Sequence, residues 1–128
     1  MLDKQLIVKL TITFSPLDLD EEEQDKEVRN LLQQMRSLNE VNDTYRVLDS
    51  NPPDGNKSFG GFLPGLLMAE VTLGNSKKVL QFLSERLSGK TIEMKVEANG
   101  ASLEVRASSQ AEFLIAVQAA KDFIAKSI

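Results

Sequence analysis

This chain of 128 residues contains no cysteine, no histidine and no tryptophan. Without cysteine there are no disulfides, thiolate nucleophiles or zinc–sulfur sites. Without histidine the commonest general base and metal ligand is missing, so a Ser-His-Asp triad cannot be built. Aromatic residues make up only 5% of the chain and no Lys/Arg cluster flanks them, which disfavours a nucleic-acid-binding sheet. The sequence therefore predicts a protein that is not an enzyme, with no cofactor, metal or nucleic-acid partner.

Long apolar runs are also missing, since nothing approaches the roughly 20 residues that span a bilayer. The first residues, MLDKQLIVKLTI, alternate polar and apolar types, whereas a signal peptide has a continuous apolar stretch. We therefore expect a cytoplasmic protein. Hydrophobic residues make up 41% of the chain and charged residues 27%, with a net charge of −4. This composition and length indicate one globular domain over residues 1–128.

The N-terminal third predicts a strand and then a helix. From Leu6 to Phe14 the even positions are apolar and the odd positions mostly polar, which is the period of a strand with one buried face. Acidic residues then favour a helix start near Asp20. An apolar stripe continues this helix to Leu38 and comprises Val28, Leu31, Leu32, Met35 and Leu38.

The middle of the chain predicts a second strand, a loop and two helices. The strand is placed at Val41–Asp49, with Tyr45 and Val47 facing inward, and the loop at Asn51–Asn56. After an apolar segment, Asn75 or Ser76 suits a helix N-cap and Gly89 its C-terminal cap. The apolar residues of that helix are Val79, Leu80, Phe82, Leu83 and Leu87.

The C-terminal third contains the clearest local pattern. Asn99-Gly100 between two alternating runs predicts a β-hairpin with a two-residue turn. That turn places Val96 opposite Leu103 and Met94 opposite Val105, with Lys95–Glu104 and Glu93–Arg106 paired on the other face. Ser109 and Glu112 then form a capping-box pattern at the start of a last helix. Its apolar stripe is Phe113, Val117, Ala120 and Ile124, widened by Leu114, Ala116 and Phe123.

These elements predict a single α+β domain. Their order is β-α-β-α-α-β-β-α, with a four-stranded sheet and helices mainly on one face. Neither a phosphate loop nor a calcium loop is supported. Lys57 follows Asn56 where a Walker A motif needs glycine, and the acidic run at 18–25 has no turn glycine.

The uncharged stretch Ser58–Ala69 predicts a glycine-hinged approach and a short apolar helix at Pro64–Leu73. A helix that is apolar on all sides needs cover on all sides. Three placements remain open: burial within the monomer, a self-association or partner surface, and reversible contact with a membrane. The predicted interaction surface comprises Phe59, Phe62, Leu63, Leu66, Leu67, Met68 and Val71.

Two stretches carry a family resemblance. Val28–Val41 reads V-R-x-L-L-x-x-M-R-S-L-x-E-V, and Ile92–Ser109 reads IEMKVEANGASLEVRASS. With the order of elements between them, they resemble the effector-associated constant component proteins of bacterial conflict systems. The resemblance covers roughly residues 20–128. It implies a non-catalytic accessory protein that acts by association, and it transfers no functional residue.

Two functional hypotheses follow from the sequence, and a third, a small enzyme that uses carboxylates or a Ser–Lys pair, stays open. The first is a cytoplasmic, non-enzymatic module that self-associates or docks an effector protein through Phe59–Val71, with a free sheet edge as a further contact. The alternative is a membrane-active component that exposes the same apolar helix to a bilayer surface.

Overall fold

The structure, a computed structural model, describes residues 6–15, 19–49, 61–87 and 89–126. Within these ranges the protein is α+β, with three helices and one antiparallel sheet of five strands in the order β2-β3-β1-β4-β5. The elements are β1 (Ile7–Phe14), α1 (Glu21–Arg36), β2 (Asp43–Tyr45), β3 (Leu66–Thr72), α2 (Leu73–Arg86), β4 (Ile92–Ala98), β5 (Ala101–Ala107) and α3 (Gln110–Lys126).

The central strand β1 alternates as the sequence predicts. Its even residues, Val8 to Phe14, are fully buried on the face that the helices cover, while Lys9, Thr11 and Thr13 lie half-buried on the opposite face. We call this second face the open face. The neighbouring strands β3 and β4 alternate in phase with β1, so the sheet has one apolar side and one polar side.

The core lies between the apolar side of the sheet and the three helices. Its fully buried large side chains include Leu10, Phe14, Leu67 and Leu80, together with Phe113 of α3. Helix α1 packs on β1, β2 and β3, α2 packs on β1 and β3, and α3 packs on β5 and α2. Burial of these side chains from water is the main stabilising term of the fold.

Several predicted elements are confirmed. Helix α1 spans Glu21–Arg36, and Asp20 and Glu23 form a capping box in which each backbone N–H donates to the other side chain. The hairpin has the predicted register, with Val96 opposite Leu103 and Glu93 opposite Arg106. Its turn residues have the positive φ values that the sequence required, 52° at Asn99 and 82° at Gly100.

The prediction of a four-stranded sheet and of an apolar helix at Pro64–Leu73 is wrong. That segment instead contains an additional strand, β3, so the sheet has five strands and the element order is β-α-β-β-α-β-β-α. In β3 the residues Leu67, Ala69 and Val71 are fully buried, and Leu66 and Met68 lie half-buried on the open face. Apolar residues on both faces hid the two-residue period, because a strand inside a sheet and a buried helix give similar short apolar runs.

The structure also corrects the predicted faces of Tyr45 and Leu114 and the predicted ends of β2 and α2. Strand β2 is only three residues long, and Tyr45 lies on the open face opposite Met68 rather than inward, while Val47 follows the strand half-buried. Helix α2 begins at Leu73, with Thr72 as an N-cap that makes no side-chain hydrogen bond. Leu114 of α3 is exposed rather than part of the buried stripe. The predicted loop at Asn51–Asn56 lies outside the described residues.

Candidate functional site

The seven residues of the sequence-predicted interaction surface do not share one face. Leu67 and Val71 are fully buried beneath the helices. Leu66 and Met68 lie on the open face, and Leu63 precedes β3. Phe62 forms an isolated β-bridge with Leu48, and Phe59 lies outside the described residues. Strand alternation therefore splits the set, and the apolar helix that the membrane hypothesis required is not formed.

Phe62 and Leu63 instead belong to a buried ion-pair cluster. Arg46 lies 2.5 Å from Asp25 of α1, its guanidinium is 5.0 Å from the centre of the Phe62 ring, and its Nη2 donates to the Leu63 carbonyl at 3.3 Å. The side chains of Arg46 and Asp25 are only 8% and 11% exposed. Arg29 Nε also donates to Asp25 Oδ2 at 2.8 Å. These contacts join α1 to the two segments that flank β2 and β3.

The Arg46–Asp25 contact is a close ion pair without a well-aligned hydrogen bond. Asp25 Oδ1 is close to the Arg46 guanidinium, yet this oxygen and Arg46 Nε have no aligned hydrogen-bond partner within the described ranges. A buried charge is tolerated only when an opposite charge is near. The cluster therefore holds the residue after β2 and the residues before β3 against α1, and its role is structural.

The open face is organised as rows of side chains that run across the strands. One row crosses all five strands as Asp43, Glu70, Lys9, Glu97 and Ser102. The next row crosses all five as Tyr45, Met68, Thr11, Lys95 and Glu104. The Tyr45 hydroxyl donates to Glu70 Oε2 at 3.0 Å, and partial burial together with this neighbouring carboxylate raises the pKa of Tyr45. Lys9 lies between Glu70 and Glu97, and Lys95 lies opposite Glu104, whereas Asp43 and Glu70 are neighbours of like charge.

A shallow depression of about 360 Å³ lies on the open face near β5. Its charged lining consists of Glu93, Lys95, Glu104 and Arg106. These four side chains are opposed in pairs across β4 and β5, so their charges cancel locally. A depression with balanced charges selects neither an anion nor a cation, and it does not by itself define a ligand.

The outer edge of β5 is the longest unpaired backbone that the described residues offer. Strand β5 has seven residues and only one strand neighbour in the described sheet, whereas the other edge strand, β2, has three residues. Neither proline nor a bulge interrupts β5, and its register with β4 is continuous from Ala101 to Ala107. Regular edges of this length are templates for pairing with another chain.

The turn determines which backbone groups point outward. In a two-residue hairpin turn the flanking residues, here Ala98 and Ala101, exchange hydrogen bonds. Bonded and non-bonded pairs alternate along an antiparallel ladder. The N–H and C=O groups of Ser102, Glu104 and Arg106 therefore face away from β4. The edge ends at Ser108, whose N–H and hydroxyl both donate to Glu112 Oε1 at 2.8 Å.

Helix α3, which packs on β5, carries exposed apolar side chains. Leu114 is 57% exposed and Ile115 is 70% exposed. Farther along the same helix the outer face becomes polar, where Gln118 donates to Asp122 at 3.0 Å. Both side chains lie on the helix that packs on β5, and exposed apolar surface is a feature of protein–protein contact sites.

The sequence hypothesis includes a free sheet edge as a contact, but it does not identify the strand that provides it. The predicted hairpin placed β5 beside β4 and left its other side unassigned. Only the strand order shows that no strand of the described sheet pairs there. The exposed pair on α3 was missed because Leu114 was assigned to the buried stripe and Ile115 to no face.

Within the described ranges, no helix is both long and apolar enough to cross a bilayer. No group of three or more acidic side chains there is arranged to hold a metal ion. Compared with known protein families, with curated proteins and with solved structures, the chain matches none of them.

Proposed function

We propose that this protein is a non-enzymatic interaction module that binds another protein chain through the outer edge of β5. The observation that carries the proposal is the edge itself, which has seven residues in regular register and no strand neighbour on its outer side in the described sheet. Strand addition to such an edge supplies main-chain hydrogen bonds for affinity. Alternate side chains of the edge then supply specificity.

The exposed apolar residues of α3 add to this proposed surface. A strand that pairs with β5 is flanked on one side of the sheet by α3, where Leu114 and Ile115 are available for contact. Burial of apolar side chains contributes about 25 cal/mol per Å². This term complements the backbone bonds, which contribute little net free energy because they replace bonds to water.

The biological setting is proposed from the sequence resemblance alone. The pattern shared with effector-associated constant component proteins favours a cytoplasmic accessory protein of a bacterial conflict or signalling system. Under this proposal the β5 edge docks an effector protein or a second copy of the chain. The absence of cysteine and histidine from the whole chain fits a protein that acts by association.

The experiment compares variants of the edge by crosslinking and mass spectrometry of the tagged protein in its native cells. Glu104→Pro removes one outward N–H without removing a bond to β4, which edge strands tolerate. We expect it to lower the recovery of the bound protein about tenfold. Leu114→Glu should act in the same direction, since it places a charge in the apolar contact.

Glu104→Gln is the matched control because it removes the same carboxylate and keeps the N–H. We expect it to retain more of the bound protein than Glu104→Pro, because both variants lose the carboxylate and only proline also removes the outward N–H. Circular dichroism and thermal unfolding establish that each variant is folded. If folded Glu104→Pro and folded Leu114→Glu leave every association unchanged, the proposed surface is wrong.

A further inference from the structure

The charge order on the free edge of β5 is self-complementary. Glu104 and Arg106 lie two residues apart on the open face, and both have outward-facing backbone groups. We propose that the partner of the edge is a second copy of this chain, with the two β5 strands antiparallel and Glu104 of each copy opposite Arg106 of the other. This inference rests on the proposed function and names its partner.

Backbone geometry leaves few registers for such a pair. Residues with outward-facing groups must oppose one another, so Ser102, Glu104 and Arg106 pair only among themselves or with residues beyond the strand. All three lie on the open face, so the open faces of the two copies become continuous. The helices of both copies then cover the same side of a ten-stranded sheet, counting five strands in each copy.

Charge selects among these registers. One symmetric register sets Glu104 against Glu104 of the other copy, and another sets Arg106 against Arg106. A third sets Ser102 against Glu104 and a fourth sets Ser102 against Ser102, and both leave Arg106 beyond the paired residues. Only the fifth register, with Glu104 opposite Arg106, creates opposite-charge pairs, and symmetry creates two of them at once. Opposite charges that face each other across strands stabilise the pairing, and like charges destabilise it.

The two side chains are available for this contact. Arg106 is 76% exposed although its Nη2 lies 3.3 Å from Glu93 Oε2, and a guanidinium has further donors for a second carboxylate. Glu104 lies opposite Lys95 in the register. Within the described ranges the Glu104 carboxylate makes no hydrogen bond and no ion pair. It is therefore free to accept from a second copy.

The proposed pairing also produces a row of alternating charges across the interface between the two copies. In order along one row, the side chains are Glu93 and Arg106 of one copy, then Glu104 and Lys95 of the other. Arg106 thus lies between Glu93 and Glu104, and Glu104 lies between Arg106 and Lys95. On the opposite face of the sheet the two-fold axis brings the half-buried Val105 of each copy together. That pair is non-hydrogen-bonded, which is the type in which facing side chains approach most closely.

The experiment uses two single charge reversals and their mixture. Glu104→Arg sets two arginines against each other in both symmetric contacts, and Arg106→Glu sets two glutamates against each other. We expect each variant alone to dimerise roughly ten- to a hundredfold more weakly than the wild type by analytical ultracentrifugation. An equimolar mixture should form heterodimers at near wild-type affinity, because every cross-copy pair is again of opposite charge.

Glu22→Arg, a charge reversal on the exposed surface of α1, is the matched control and should leave dimerisation unchanged. As a second measurement, the amide hydrogens of Glu104 and Arg106 in the wild type should exchange more slowly as protein concentration rises. A wild type that stays monomeric at millimolar concentration overturns the inference. So does a mixture of the two variants that is no more dimeric than either alone.

These failures are distinguishable from failure of the proposed function. A strictly monomeric protein whose crosslinked partner is still lost in Glu104→Pro removes the self-pairing and leaves the edge as a site for a different chain. If Glu104→Pro, Glu104→Arg and Arg106→Glu leave both the dimer and every crosslinked association unaffected, both proposals are removed, because the contacts then lie elsewhere.

Discussion

Gly65 occupies a position where a side chain has no room. It immediately precedes β3, and its carbonyl accepts from the Phe14 N–H at 2.8 Å. The buried Gln24 side chain of α1 crosses the same point and donates from Nε2 to the Phe14 carbonyl at 2.7 Å. A Cβ at Gly65 would lie 2.7 Å from Gln24 Nε2 and 3.1 Å from the Phe14 carbonyl oxygen. Close backbone approach, rather than a positive φ, requires glycine here.

Gly65→Ala is therefore expected to lower the free energy of unfolding. The added methyl group displaces Gln24 from its hydrogen bond or moves β3 away from Phe14, and such overpacking costs about 1–3 kcal/mol. Urea denaturation followed by circular dichroism measures the change. Gly74→Ala is the control, because nothing lies within 4 Å of a Cβ there and α2 gains up to about 1 kcal/mol from alanine. Equal effects of the two substitutions would contradict the steric explanation.

At the start of α3, Glu112 is held by two hydrogen bonds from Ser108. Its Oε1 accepts from the Ser108 N–H and hydroxyl, and these bonds lower the pKa of Glu112 below its ordinary value of 4.5. The predicted capping box is thus formed in part. The Glu112 N–H donates to Ser109 Oγ at 3.2 Å, but the carboxylate reaches one residue farther back than the motif requires.

This arrangement predicts a pH-dependent difference between the wild type and Glu112→Gln. A carboxylate whose pKa is lower in the folded state stabilises it fully above the unfolded-state pKa, and the contribution is lost as pH falls through the folded-state value. We expect the wild type to be the more stable near neutral pH and the difference to vanish well below pH 4.5. Thermal unfolding across this range measures it. Ser108→Ala should narrow the difference, and a gap independent of pH would argue against this role.

Among the elements, the Arg46–Asp25 pair links α1 to the β2–β3 hairpin. Next to it, the Asp49 N–H donates to the Gly61 carbonyl and the Leu63 N–H donates to the Val47 carbonyl, so the hairpin continues beyond β2. Helix α1 is joined to that extension mainly through charge. Removal of the Asp25 carboxylate leaves the Arg46 guanidinium buried without compensation, whereas removal of both charges does not.

We expect Asp25→Leu to destabilise the fold by about 3–5 kcal/mol, because Arg46 is then buried without its carboxylate. The double substitution Asp25→Leu with Arg46→Met should recover most of that loss, since it replaces the pair by apolar groups of similar size. A double-mutant cycle in urea measures the coupling. Glu22→Leu, at an exposed site on the same helix, is the control. Additive effects of the two single substitutions would show that the pair is not coupled.

Strand β5 could be predicted from the sequence and strand β3 could not, because only the pairing of β5 is local. Strand β5 belongs to a hairpin whose turn, alternation and charge pairs all agree locally, so its register follows from the sequence. Strand β3 has apolar residues on both faces, and its partners β1 and β2 are distant along the chain. Glu70 and Thr72, on the open face to either side of buried Val71, are the polar signs of its two-residue period.

In the whole molecule, the order β2-β3-β1-β4-β5 places the N-terminal strand at the centre of the sheet. Strand β1 pairs with β3 on one side and β4 on the other, and its even side chains are fully buried. The centre of the sheet therefore forms only when β1 pairs with β3 and β4, which are far from it in sequence. Stability should decrease from the centre toward β2 and β5.

Hydrogen exchange followed by NMR tests this gradient. At low protein concentration we expect β1 amides to exchange only through global unfolding, and the outward amides of β5 to exchange several orders of magnitude faster. The inward amides of Leu103 and Val105 are the matched control, since they lie on the same strand and bond to β4. Uniform protection of all β5 amides in the dilute monomer would show that the edge is covered.

The sequence alone determined the local structure of the protein. Helix α1 with its N-terminal cap, the register and turn of the β4–β5 hairpin, the buried face of β1 and most of the buried stripe of α3 all follow from periodicity and from contacts between near neighbours. The α+β class follows from them as well. The physical reason is that these features depend on side-chain spacing and backbone conformation within a few residues.

Only the tertiary structure decided the secondary structure of residues 66–72 and which strand forms the free edge. Whether an apolar segment becomes a helix or an inner strand depends on which strands supply its backbone hydrogen bonds, and those partners are distant in the chain. The same pairing places β5 at the border of the sheet, with Glu104 and Arg106 facing outward. Long-range hydrogen bonding, which leaves little trace in local sequence, therefore determined where this protein offers a contact surface.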